Sequence, residues 1–242
     1  MLFRSDWKID SLKVSSIDFK GYEAGYKPSD VSGKERLFYD KNKPFTKKIP
    51  FYGDYKPSKF VTIPAYYIIP QNQWEIIELL KLNKIKLTQL SKNESIEVEI
   101  YKIKNYQTYK NAYEGHYGHY NTTVTKSIEK MKFSVGDYKI STNQKGVKFL
   151  LETLEPEAVD SYFNWNFFDT VLQQKEGYSS YVFEDLAKQI LIENPALKQE
   201  LDDKKQMDKS FADNGEAQLN WVYQHSKYFE KAFMKIPIYR VK

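Results

Sequence analysis

Ile96-Glu97-Val98-Glu99-Ile100-Tyr101 alternates apolar with polar or aromatic side chains, the period of a half-exposed β-strand whose residues point to opposite faces in turn. A second such ladder runs from Thr122 to Phe133, and Gly136-Asp137 is placed to turn it back into Tyr138 to Thr142. That spacing predicts an antiparallel hairpin. Upstream, Trp74, Ile76, Ile77, Leu79, Leu80 and Leu82 fall on one broad helical face within Gln71 to Asn83. Beyond Gln144 the pattern becomes helical, over Val147 to Leu154, Tyr181 to Glu193, Ala196 to Met207 and Ala217 to Phe229. Asn194-Pro195 and Asp213-Asn214-Gly215 supply start signals for the last two. The tail Ile236 to Val241 alternates again and reads as an edge strand.

From Ser16 to about Ile69 the chain is dense in Tyr, Phe, Lys and Pro. Pro28, Pro44, Pro50, Pro57, Pro64 and Pro70 forbid long helices there. The short extended patches Phe45 to Tyr55 and Lys59 to Ile69 predict irregular strands and loops that wrap a neighbour. The expected fold class is therefore α+β, with antiparallel strands and irregular Tyr/Pro-rich segments first and a helical C-terminal half.

Composition narrows the function. The 242 residues are 41% hydrophobic, enough for a sizeable core. Lys and Arg outnumber Asp and Glu by 37 to 32, but acidic residues interrupt nearly every basic cluster, which argues against a nucleic-acid partner. The stretch Lys41 to Lys59, interleaved with Tyr52 and Tyr55, is the one place where single-strand stacking is conceivable. With no cysteine there is no disulfide framework and no thiolate chemistry. No apolar run approaches the roughly 18 to 20 residues a membrane-spanning helix needs.

Two clusters hold the residue types that carry chemistry. In Glu114-Gly115-His116-Tyr117-Gly118-His119 two histidines and a glutamate are close enough in sequence to meet one cation. The His spacing of three is wrong for the familiar zinc motifs, and on a strand His116 and His119 would face opposite ways. Glu114, His116 and His119 are thus weak metal candidates beside a structural reading. The run Leu154 to Asp169 mixes acids with aromatics. Its plain reading is a packed corner in which Trp165, Phe167 and Phe168 fill core while Asp160 and Asp169 cap helices. Its functional reading is a ligand or interface surface built on Trp165 and Asp160, with Tyr22 and Tyr26 as further contact candidates. No Gly-x-Ser-x-Gly elbow and no phosphate-cradling glycine loop occurs.

Several of these blocks carry a family likeness: Gly21 to Ser29, Ile49 to Tyr52, Tyr66 to Trp74, Tyr113 to Tyr117, Leu151 to Glu176, Tyr181 to Glu184 and Pro237 to Arg240. Through them the chain resembles the C-terminal region of large zinc-carboxypeptidase-like proteins of the carboxypeptidase A type, found in Bacteroidetes and other bacteria. In that family zinc is held by His-x-x-Glu and a later His, and a separate Glu activates the metal-bound water. This sequence has no His-x-x-Glu, so no catalytic, cofactor or zinc residue carries over to any position.

The resemblance implies an exported parent that removes C-terminal residues from peptides, with its zinc in an upstream domain that is the partner of this region. It leaves residues 6–70 as a wrapping segment and 71–242 as an α+β accessory domain. Leu2-Phe3-Arg4-Ser5 is what a common sequencing-library adapter encodes, so Met1 to Ser5 are expected to be non-native, with native sequence from about Asp6. The competing reading is an independent carbohydrate- or peptide-binding module using exposed aromatics.

Overall fold

The computed structural model describes residues 1–242, and the chain divides into two units, Met1–Thr62 and Ile63–Lys242. The first contains four strands, β1 (Leu2–Ile9), β2 (Ser15–Pro28), β3 (Glu35–Phe51) and β4 (Tyr55–Thr62). β2 pairs with β3 and β1 with β4, both antiparallel, as separate two-stranded ribbons. The expectation of irregular segments fails here, for a physical reason. Every strand of a two-stranded ribbon is an edge strand, so Pro44, Pro50 and Pro57 can sit in β3 and β4 where a central strand would exclude them. In this unit only Ser5 and Val61 are buried.

The second unit is built on a six-stranded sheet. Its elements are β5 (Tyr66–Ile69), α1 (Trp74–Leu82), β6 (Thr88–Gln89), β7 (Glu94–Thr108), β8 (His119–Phe133), β9 (Tyr138–Ser141), α2 (Val147–Leu154), α3 (Ser180–Glu193), α4 (Pro195–Met207), α5 (Lys209–Ala212), α6 (Gly215–Gln224) and β10 (Lys235–Val241). The strand order is β6-β9-β5-β10-β7-β8, with every neighbour antiparallel. Strand takes about 40% of the chain and helix 26%, so the C-terminal half is not a helical half. It holds β8, β9, β10 and a turn-rich stretch between Glu155 and Ser179 as well as its helices.

Two pairings differ from expectation. β8 pairs with β7, not β9. The turn at Gly136, where φ is +94°, bonds back to Leu90 rather than closing a hairpin. The Asp137 carboxylate fixes it by accepting from the backbone N–H groups of Gln71 (3.0 Å) and Ser134 (2.8 Å). That diverts the chain across the sheet to β5. The tail strand β10 lies inside the sheet between β5 and β7, which is why Ile236 and Ile238 are buried.

The sheet presents two different faces. On one, Ile68, Leu90, Val98, Ile100 and Phe133 form an apolar cluster edged by the partly buried Tyr66, Ile96, Met131 and Tyr239. On the other, Ile140, Tyr67, Arg240 and Glu99 stand in register across four adjacent strands. The C-terminal helices bury their own cluster of Phe183, Ala187, Leu201, Phe211, Leu219, Val222 and Tyr223. None of the helices is long and apolar enough to cross a membrane.

Asn194 and Asn214 start α4 and α6 as the sequence predicts, their side chains accepting from Leu197 N–H (3.2 Å) and Ala217 N–H (2.9 Å). Replacing either by alanine is expected to lower stability by about 1 kcal/mol. The check is a lower urea midpoint with unchanged slope.

Candidate functional site

α2 ends at Leu154 because Pro156 disfavours helical geometry at the residue before it, and Glu155 is extended at φ −86°, ψ 114°. That bend carries Glu155 to the polar face of the sheet, where only 1% of its surface stays exposed. One carboxylate oxygen accepts from the Tyr67 hydroxyl and the other from the Tyr101 hydroxyl, each at 2.5 Å. The Arg240 Nε lies 3.0 Å from the first oxygen. Arg240 Nη1 also donates to Glu99, whose second oxygen is 3.0 Å from Lys242 Nζ. The Arg240 guanidinium lies over the Tyr101 ring, 5.1 Å from its centre.

Burial and charge oppose one another here. Burial raises the pKa of Glu155 above the usual glutamate range and outweighs Arg240 and the two tyrosine hydroxyls, which lower it. Burial also works to raise Glu99, but Lys242, Arg240 and Lys126 together leave it lowered. Burial and the adjacent Glu155 push both Tyr67 and Tyr101 up, so both hydroxyls keep their protons as donors. Glu155 is sealed from solvent, so the constellation is a polar core rather than an acid/base pair open to substrate.

The second candidate lies where β7 and β8 meet the turn-rich stretch. Glu114 (φ +50°) and Gly115 (φ +79°) are both left-handed, and Tyr113 and His116 exchange two backbone hydrogen bonds at 2.9 Å across them. This is the tight turn that two adjacent left-handed residues make. It aims His116 at Trp165 (ring centres 5.5 Å apart) and Phe167 (5.7 Å). Tyr113 approaches Trp165 at 6.4 Å.

His119 goes elsewhere. It is buried between Tyr106 and Phe163, with Thr108 Oγ1 2.9 Å from Nδ1 and Asp169 Oδ1 3.0 Å from Nε2. The carboxylate fixes the proton on Nε2, so Nδ1 accepts from the Thr108 hydroxyl. Around this pin, His119 N–H donates to the Asn164 carbonyl (2.7 Å), Thr122 Oγ1 to Asn164 Oδ1 (2.7 Å) and Asn166 Nδ2 to the Tyr117 carbonyl (2.8 Å). Gly118 permits the approach, since a Cβ there would stand 3.3 Å from the Asn164 carbonyl.

The residues singled out from sequence are thus dispersed. Glu114, His116 and His119 have different surroundings, and no group of three or more His, Asp or Glu side chains is placed to hold a metal ion. Trp165 and Phe167 are only half-buried, whereas Phe163 and Phe168 are core. Asp160 is exposed and starts no helix, and Asp169 holds His119. Tyr22 and Tyr26 stand on β2, 46% and 69% exposed. The Glu155 network escaped sequence reasoning entirely. Its one signal was Arg240, which falls in phase with Ile236 and Ile238 on an alternating strand.

No family model matches the chain, and no solved structure matches it. Part of it is similar to proteins named Carboxypeptidase 2 from Trichophyton tonsurans, Trichophyton equinum and Trichophyton rubrum. Identity to each is 32% over 101 residues, which is 41% of this chain and 18% of the relative. The matched stretch therefore spans under a fifth of those relatives, and part of this chain has a carboxypeptidase relationship.

Proposed function

We propose that this chain is a non-catalytic C-terminal accessory region of a bacterial zinc-dependent carboxypeptidase-like protein, which braces an upstream peptidase domain and shapes substrate access. The partial carboxypeptidase similarity supports the setting. The observation that carries the accessory role is the first unit. Isolated two-stranded ribbons are marginal in water, yet β2 and β3 expose Ile17, Phe19, Tyr22, Tyr26, Tyr39 and Phe51 along their length. Such a surface fits a ribbon laid against a partner.

Hydrogen exchange tests this. Residues 15–52 should exchange rapidly in the isolated chain and become protected when the upstream peptidase domain is supplied, with a higher Tm, as for any partner that binds only the folded state. Strong protection of 15–52 in the isolated chain, unchanged by that domain, would remove the basis of the reading. A second reading, a carbohydrate- or peptide-binding module, is favoured by the half-exposure of Trp165 beside Tyr113 and His116.

A further inference from the structure

α1 is apolar on two sides. Ile76, Ile77 and Leu80 are buried, which accounts for one stripe, but Trp74 and Leu82 are 63% and 78% exposed. Large apolar side chains on the outer face of a surface helix have no core to explain them. They line a shallow, open groove formed by Trp74, Leu79 and Leu82 of α1 with Phe167 of the turn-rich stretch at its edge.

Phe167 also ends the ring row Tyr113–Trp165–His116–Phe167, in which successive centres are 6.4, 5.5 and 5.7 Å apart. The groove therefore continues a held aromatic surface, because the side chains of Asn166, Asn164 and Asp169 tie this stretch to the β7–β8 hairpin. Its charged groups are Glu75, Glu78 and Lys81. Lys81 is drawn to Glu78 at 2.8 Å and lies over the Tyr138 ring at 5.6 Å, whereas Glu75 forms no ion pair.

We propose that this groove binds a peptide segment, taking an aromatic or aliphatic side chain between Trp74 and Phe167 and placing a neighbouring Lys or Arg on Glu75. The inference rests on the second reading above and names its ligand. An open apolar patch beside a carboxylate that forms no ion pair suits an apolar side chain next to a cation. Recognition of a sugar ring needs several hydrogen-bonding groups arranged around its hydroxyls, and the groove offers only carboxylates and one ammonium already paired.

The test titrates the full chain with three probes: a blocked pentapeptide with Phe between two Lys, the same peptide with Glu in place of Lys, and a cello-oligosaccharide. Calorimetry gives affinity and amide chemical shifts give position. The Lys-flanked peptide should bind roughly tenfold or more tightly than the Glu-flanked one, with shifts centred on Trp74 and Phe167. Trp74→Ala removes an exposed side chain, so it should leave the circular dichroism unchanged and weaken binding about tenfold. Glu75→Gln should weaken it severalfold and abolish most of its salt dependence. Equal affinity for the two peptides, or peptide binding indifferent to Trp74→Ala, overturns the proposal. Preference for the oligosaccharide, with shifts around Trp165, overturns it while leaving the binding-module reading intact; binding of no probe removes both.

Discussion

Glu155→Ala is expected to destabilise the second unit by about 3–5 kcal/mol, the range for removing one partner of a buried ion pair. The substitution strands three groups at once. Tyr67 and Tyr101 lose the carboxylate that each meets at 2.5 Å, and Arg240, 3% exposed, loses one of its carboxylate partners while keeping Glu99. Urea unfolding followed by tryptophan fluorescence measures this, because Trp74, Trp165 and Trp221 all lie in that unit. A loss under about 1 kcal/mol would mean that the Glu155 carboxylate adds little net stability.

The same residue gives a pH signature. A carboxyl whose folded pKa is raised binds more protons folded than unfolded, so stability falls as pH rises from the ordinary glutamate range through the folded value. Glu155 follows that sign. Glu99 follows the other, its pKa being lowered, so its contribution is present above the ordinary range and is lost as pH falls through the folded value. Glu155→Gln should therefore remove the decline above the glutamate range and leave the acid-side loss in place. A decline unchanged in Glu155→Gln would assign it to other groups.

How much of this was legible in the sequence depends on what each signal encodes. Helices with a period and a cap were readable: Val147–Leu154 matches the spacing-based span, and Asn194-Pro195 opens α4. Periodicity gives the type of an element but not its neighbours. The alternation of Ile96 to Tyr101 reads as one dry and one wet face, yet Glu99 and Tyr101 are buried because Glu155 and Arg240 meet them there. A strand covered on both faces and one with a wet face differ only in partners that lie 54 and 141 residues away. Likewise the α1 pattern placed Trp74, Ile76 and Leu82 on one broad face, whereas burial splits them into a core stripe and a groove wall. The ribbon was misread because its prolines were read only as excluding long helices, whereas every strand of a two-stranded ribbon is an edge and admits them.

The packed-corner reading of Leu154 to Asp169 meets its sharpest test in a pair of substitutions three residues apart. Sequence reasoning expected Trp165 and Phe168 to be equally deep; in the structure Phe168 is 2% exposed and Trp165 only half-buried, against Tyr113 and His116. Phe168→Ala should then cost about 3–5 kcal/mol, from lost apolar transfer and the cavity left behind. Trp165→Ala removes a ring that already meets solvent, and a cost below about 2 kcal/mol is expected. The measurement is paired denaturant unfolding of both variants at one pH, with slopes compared to show that the unfolded state is unchanged. Equal losses near the upper figure would make Trp165 a core residue and remove it from the rings free to meet a ligand. A loss confined to Phe168 instead separates the two halves of this stretch: Phe163 and Phe168 hold it to the fold, and Trp165 and Phe167 are the part it presents.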